Sequence, residues 1–454
     1  MNQNIENIIK ESVSNERLRI SKARRRLNYK MLNYYEGSME THQYIKDRFS
    51  LKAFQEVPCS NFNITRRFID RMSRIYTQGA KRNVNKLYND MTWLKDVKMK
   101  HIEKMTRLLG SVAVQVILDV KHEDKLYFDY VPVYSYDVHF GSDNPFEPVA
   151  ITYPIMQNVN DVNMKAVEKL KYVYWDKDVS VIYDEDGVPL SELKHNYGFL
   201  PFMFFHREHQ LDSFFVTGAE DIVQTNELVN ILLTEMNLGM RFQMFGQPVI
   251  SGLYDDEKIT RAGSDETIVL PEGADFNFVS SKGNMKDAID LMKSMLDLCA
   301  QNNHLYVQFA QDGGETPSGV ALKIKDLSRY EDFLDDVELF RIFEHKLYHI
   351  EKSLATMHDI KFPDTFGIDF YEPEYPTSAP DQIALETHEL ATNQTTEWKL
   401  LMKHNKDLNE KDARKIVKQN KEDNKVGTET KSIFGKVGEG FTKDKQAGSE
   451  PTEV

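Results

Sequence analysis

Asp184, Glu192 and Lys194 have the types and spacing that come nearest to chemistry in this chain. An aspartate followed at a short interval by Glu192-Leu193-Lys194 imitates the acidic pair and lysine with which a nuclease holds a divalent ion and its attacking water. That chemistry needs both carboxylates on adjacent strand ends. Such a spacing also arises by chance in an acidic chain, and DEDG at Asp184–Gly187 reads better as a hairpin turn. His206 and His209 lie close together, but a zinc site wants further ligands at defined spacing and none is evident. GKVGEG at Gly435–Gly440 is glycine-rich yet follows no strand, so it does not read as a phosphate cradle. Walker, dinucleotide, zincin and nucleophile-elbow motifs are absent from the sequence. The expectation is a protein with no catalytic residue, no metal and no cofactor.

Charge narrows the classes further. A formal charge of −14 over 454 residues argues against a surface that grips nucleic acid throughout, because such surfaces gather phosphates with an excess of lysine and arginine. The basic run Arg17, Arg19, Lys22, Arg24, Arg25, Arg26, Lys30 is either a local nucleic-acid patch or the solvated face of a helix, and the second reading is preferred. Only Cys59 and Cys299 are present, which gives no disulfide framework and fits synthesis in a reducing cytoplasm. The first residues carry no apolar signal region, and no run approaches the ~18 apolar residues of a membrane span. Hydrophobic residues at 41% support a folded chain, and its length implies two or three packed regions.

The elements follow from periodicity. Helical patterns cover 1–35, 61–79 and 93–109, the first stopped by YYEG at Gly37 and the second by Gly79. From Ser111 to about Leu211 the period becomes strand-like, in two sheets or one sheet with long hairpins. Residues 219–245 then predict a helix of about 40 Å, apolar nearly all round in its second half. Asn230, Glu235, Asn237 and Arg241 interrupt that run, so burial between protein neighbours explains it better than a membrane does. Short strands are expected in 247–281 and a helix from Asn284 to Asn303. Apolar residues at 320, 324, 327, 330, 334, 337, 340, 343, 347, 350, 354 and 357 then predict a helix of about 60 Å from Ser318 to Asp359. A strand at Phe366–Pro373 and two helices between Pro380 and Asn420 follow, ahead of a polar tail. The fold class is α+β.

Five passages in this order carry a resemblance: LNYYEG at Leu32–Gly37, NITRRFIDRMSRIYTQG ending at Gly79, HNYGFLPFMFFHRE at His195–Glu208, GAEDIVQTNELVNILLTEMN at Gly218–Asn237 and TPSGVALKIK at Thr316–Lys325. Their succession, over about residues 30 to 360, resembles the portal proteins of tailed bacteriophages, in particular those of long-tailed phages of Gram-positive hosts. The resemblance implies a ring-forming portal fold with a β-rich wing at 1–215, a first stem helix at 216–246, a small α/β clip at 247–282 and a second stem helix at 283–303. A tunnel loop at 304–317, a long helix at 318–360, a strand returning to the wing at 361–378, crown helices at 379–420 and a disordered tail at 421–454 complete it.

Further expectations attach to this resemblance. A ring of about twelve copies would carry a charge of about −170, so that DNA slides through without sticking. Lys282, Lys286 and Lys293 are candidates to face the channel, or else lie on a solvated helix face. Leu232, Met236 and Met240 would pack between subunits. Gln308, Gln311, Asp312, Gly313 and Gly314 would touch DNA from the tunnel loop, or the loop is a plain connection. The implied partners are further copies of the chain, double-stranded DNA, the large terminase subunit as external motor, major capsid and scaffolding proteins, and a head-to-tail adaptor. The implied place is the portal vertex of the virion, after assembly in the host cytoplasm, without a membrane. A metal-dependent nuclease and a head-to-tail adaptor ring are the alternatives.

Overall fold

A computed structural model describes residues 15–48, 60–120, 126–144, 146–160, 166–184, 186–210, 212–245, 247–251, 275–279, 285–307, 327–373, 379–405 and 408–423. Among the described residues, those up to 373 form one unit and those from 379 onward belong to a second. The first unit begins with helices α1 (Asn15–Glu36), α2 (Met39–Lys46) and α3 (Ile64–Met72), then strand β1 (Ala80–Asn83) and helices α4 (Lys86–Met91) and α5 (Lys95–Leu109). Strands β2 (Ser111–Val120), β3 (Leu126–Val133) and β9 (Phe202–His206) form a three-stranded sheet in the order β3-β2-β9. Between them in sequence, β4 (Asp137–Phe140), β5 (Pro148–Asn160), β6 (Ala166–Trp175), β7 (Val179–Tyr183) and β8 (Pro189–Lys194) form an antiparallel meander. The strand-like region is therefore two sheets, one of the two arrangements its sequence allows.

Local chemistry sets the boundaries. Gly37 ends α1 with φ +72°, and its N–H donates to the Asn33 carbonyl. The helix expected over 61–79 is shorter: Asn63 caps it by accepting the Arg66 N–H, and it stops at Met72. The reason lies on α5. The Glu103 carboxylate accepts the N–H groups of Ile75 (3.0 Å) and Tyr76 (3.2 Å), which takes those donors out of any helical ladder. Gly79, at φ +83°, belongs to the turn that follows. The helix expected from Trp93 starts at Lys95, and α4 before it was not foreseen. Gly110 closes α5 where the backbone of 216–218 crosses, and a Cβ there would lie 2.0 Å from the Val216 carbonyl.

After α6 (Glu220–Phe245), β10 (Gln247–Ser251) pairs antiparallel with β11 (Asp275–Val279), and α7 (Met285–Asn302) follows. The long helix α8 (Leu327–Met357) lies against the three-stranded sheet, and β12 (Gly367–Phe370) returns to pair with β1, Ala80 opposite Phe370. The described part of α8 lies within the expected 318–360. Its buried face differs from the expected stripe: Phe333, Phe340, Leu347 and Leu354 repeat every seven residues, while Leu327, Leu334 and Met357 are exposed. On the same seven-residue period Glu344 and Glu351 are fully buried. In the second unit, α9 (Ala379–Ala391), α10 (Glu397–His404) and α11 (410–423) make three helices where two were expected. Residues 1–14 of the helix expected over 1–35, and 424–454 of the expected tail, lie outside the described residues.

The two glutamates hold the core of the first unit. Lys95 Nζ lies 3.0 Å from Glu344 and 2.8 Å from Glu351, and all three side chains are inaccessible. Arg82 of β1 places one nitrogen 2.6 Å from Glu344 and another 2.6 Å from Asp96. The hydroxyls of Tyr76 and Tyr88 donate to Glu344 and Glu351 respectively, each over 2.8 Å, and Tyr130 donates to Glu351 as well. Burial opposes charge on Glu344, but the Lys95 ammonium and the Arg82 guanidinium overcome it and hold its carboxyl down at about 2.

Removing the central cation should unfold the unit easily. Lys95→Ala leaves two buried carboxylates undercompensated, an expected loss of about 3–5 kcal/mol in urea denaturation. A loss within experimental error would mean that the pair is idle. The folded carboxyl of Glu344 titrates below the unfolded value of ~4.3, so its contribution is complete above that value and disappears as pH falls toward about 2. Wild-type stability should decline across that window, and Glu344→Gln should decline less steeply.

Candidate functional site

Helices α6 and α7 with the β10–β11 ribbon between them form the feature most unlike an ordinary globular surface. The helices run antiparallel: the Asn303 amide donates to Asp221 at one end, and a Cβ at Gly239 would touch Met285 at the other. One row of α6 is polar and fully buried, with Asn226, Asn230 and Thr234 four residues apart. Asn226 donates to Thr65 over 2.9 Å. Asn230 accepts the Phe62 N–H and donates to the Phe62 carbonyl, and Thr234 accepts the Ser60 N–H. Beside this row Glu227 is paired with Lys30 (2.7 Å) and Arg48 (2.8 Å). Burial works against the charged form of Glu227, and those two cations still bring its carboxyl below the usual range.

The opposite row is apolar. Leu228, Leu232, Met236 and Met240 also recur every four residues, offset by two from the polar row and so turned by about 200°. Leu228 is 41% exposed and Met240 50%, with Leu232 and Met236 half-buried. On α7, Leu291 and Leu298 are 53% and 61% exposed, with half-buried Met295 between them. Sequence reasoning expected α6 to be buried between protein neighbours; within the subunit Asn226, Asn230, Thr234, Val229 and Leu238 are buried and Leu228 and Met240 are exposed. Among the described residues no helix is long and apolar enough to cross a membrane.

Other expected site residues separate. Lys286 is exposed on the first turn of α7 and Lys293 is half-buried, while Lys282 lies outside the described residues. Gln308, Gln311, Asp312, Gly313 and Gly314 also lie outside them. The two points where the 308–326 segment leaves and re-enters the described structure are clamped by groups that motif reading missed. Arg207 donates to Asn303 and to the Gly218 carbonyl, His304 faces Asp332 at 3.5 Å, and Arg329 donates to the Arg71 and Met72 carbonyls. Arg107 pairs with Asp336 one helical turn further along. Burial, and then the Arg329 charge, lower the Arg107 guanidinium to about 10.

The enzymatic candidates do not assemble. Asp184 Oδ1 accepts the N–H groups of Asp186 and Val188, so it serves the turn between β7 and β8, and Glu192 is exposed opposite Val181. His206 and His209 line an open cleft of about 840 Å³ between β9, residues 144–149 and α8. Burial, with a smaller push from Lys346, lowers the His206 imidazole to about 4, and the ring meets Ser111 Oγ at 3.0 Å. Among the described residues no three His, Cys, Asp or Glu side chains are placed to hold a metal ion. In the basic run of α1, Lys22 and Arg26 are exposed, while three other residues are engaged within the subunit. Arg24 and Arg25 both pair with Asp137 of β4, Arg24 lies 3.6 Å over the Phe215 ring, and Lys30 holds Glu227.

No protein-family model matches this chain. No curated protein matches it either. Solved structures are similar at low identity. One is described as the neck of a native GTA particle computed with C12 symmetry, with 11% identity, a TM-score of 0.40 and coverage of 80% of this chain and 92% of that one. Another is the neck of an empty GTA particle computed with C6 symmetry, with 9% identity, a TM-score of 0.39 and coverage of 77% and 91%. Likeness at this level does not define the fold, assembly or activity of the present chain.

The polar row generates a direct test. Asn230→Leu removes the acceptor of the Phe62 N–H and one of the two donors to the Phe62 carbonyl, which should cost about 1–3 kcal/mol in denaturant and speed hydrogen exchange in α6. Unchanged exchange there would remove the polar row as the anchor of the helix.

Proposed function

We propose that this chain is the portal subunit of a tailed phage or phage-like particle, which closes into a ring around a channel for double-stranded DNA and is itself no enzyme. The observation that carries the reading is the antiparallel helix pair whose inner row is hydrogen-bonded to its own subunit and whose outer row of leucine and methionine is open. Fully burying one such side chain contributes about 1.5–3 kcal/mol, so a row on each of two helices favours association strongly. Because the same row recurs in every copy, contact between the α6 and α7 surfaces of successive subunits repeats head to tail and closes where the rotation permits.

In this reading α6 and α7 form the stem, the β10–β11 ribbon is the start of the clip, the first unit up to Phe215 together with β12 is the wing, and α9 to α11 belong to the crown. The ring holds about twelve subunits. The terminase large subunit supplies motion, the adaptor continues the channel, and capsid and scaffolding proteins surround the wing. The described part of α7 carries Lys286 and Lys293 against Asp287, Asp290 and Asp297, a sum of −1. A stem of that balance presents DNA with a weakly repelling wall, and the lysines relieve it locally. The metal nuclease has no observation in its favour once Asp184 is engaged in a turn.

Two experiments test this. Leu232→Asp or Met236→Asp should leave the circular dichroism spectrum intact and convert rings to monomers in light scattering, because each interface would then hold an unpaired carboxylate. Normal rings in both variants would overturn the stem assignment. Deleting Gln311–Gly314 should preserve rings and capsid attachment but lower the DNA content of particles; wild-type DNA content would dismiss the loop as a DNA contact.

A further inference from the structure

The cleft beside β9 runs along a strand edge that no described strand pairs. In the three-stranded sheet β9 lies outermost; the Arg207 N–H donates to the Gly110 carbonyl, and the Val116 N–H donates to the Pro201 carbonyl. Bonded and non-bonded positions alternate along an antiparallel ladder, so Met203 and Phe205 also bond inward to β2. The backbone N–H and C=O groups of Phe202, Phe204 and His206 therefore point away from β2, and all three residues line the cleft of about 840 Å³. Leu339 and Ile342 of α8 wall it on one side, Phe146 and Val149 on the other. A row of amide and carbonyl groups at strand spacing is matched by one kind of partner, the backbone of another extended strand.

The chain itself carries a strand of the required kind. β8 ends the five-stranded sheet, and its six residues are all exposed. The His195 N–H donates to the Asp178 carbonyl; by the same alternation Leu193 and Ser191 bond to β7, and the backbone of Glu192 and Lys194 turns outward. Leu190 and Leu193 are 51% and 61% exposed, apolar side chains on an edge open to pairing. One free edge is thus recessed between apolar walls, and the other stands clear of its surface. A cyclic ring joins two different surfaces of the chain at every interface, and these two satisfy each other. We propose that β8 of one copy adds as a fourth strand to β9 of the next copy, seated in the cleft with Leu190 and Leu193 against its apolar walls. The pairing rests on the ring proposed above, supplements the contact of α6 and α7, and joins the three-stranded sheet of one subunit to the five-stranded sheet of its neighbour.

Hydrogen exchange read by mass spectrometry on the assembled full-length protein tests this pairing. The amides of Phe202, Phe204 and His206 should exchange at least about tenfold more slowly in wild-type rings than in Glu192→Pro, because proline removes an outward N–H without touching a bond to β7. Glu192→Ala keeps that N–H and should keep the protection. The double variant Leu190→Asp, Leu193→Asp changes two residues exposed in the single chain, so it should fold normally and lose the protection as the proline variant does. If proline also frays β7, seen as faster exchange at Ser180 and Ile182, the aspartate variant decides. Fast exchange along β9 in wild-type rings overturns the pairing and leaves the ring standing. Protection that survives the aspartate variant also overturns it, and assigns the edge to a strand other than β8. A wild-type protein that forms no ring overturns both this pairing and the portal reading.

Discussion

Lys95, at the start of α5, holds two glutamates of α8 where no water reaches, and the arrangement of the first unit follows from that contact. Two cations, Lys95 and Arg82, meet two carboxylates, Glu344 and Glu351, so the buried charges balance. Three tyrosine hydroxyls fill remaining acceptor positions, and burial beside carboxylates pushes all three phenols far above their ordinary values, which keeps them neutral donors. A balanced, satisfied network of this kind contributes more to the choice of one arrangement than to raw stability. It fixes the rotation of α8 about its own axis. Through Arg82 it also fixes β1, which in turn receives β12.

From that fixed point the open surfaces follow. The orientation of α8 sets the clamp of Arg107, Arg329 and His304 at the base of the 308–326 segment, and the same region seats the first turn of α6. Farther along, the hydrogen bonds from the rest of the unit reach α6 on the row of Asn226, Asn230 and Thr234. Asparagine and threonine fix the register of the helix beside buried Ile222, Val223, Val229 and Leu238, and Leu228 and Met240 stay exposed. The buried polar row and the apolar row are thus two parts of one arrangement: the first gives position, and in the proposed ring the second gives association.

Much of this was legible in the sequence, for identifiable reasons. Long periodic segments such as Glu220–Phe245 and Leu327–Met357 announce themselves because apolar spacing survives whatever surrounds it. The boundaries of α3 were not legible, because a carboxylate 28 residues away in sequence captures the N–H of Ile75. The buried face of α8 was misread because glutamates at 344 and 351 count as polar in any hydropathy pattern; their seven-residue spacing in phase with Phe340 and Leu347 was the available signal. Leu232, Met236 and Met240 were read as packing between subunits; within the single chain Met240 is exposed and the other two are half-buried. Arg24 and Arg25 of α1 were read as solvated because their partner, Asp137, lies 112 residues from Arg25.

The central claim is that the open row on α6 and α7 closes copies of this chain into a ring around a channel. Electron microscopy of the purified protein viewed along its symmetry axis tests it most directly. The account predicts closed rings of about a dozen subunits with a central opening wide enough for duplex DNA and with helix density lining it; a population of monomers, or an oligomer whose α6 and α7 surfaces face solvent, would contradict it.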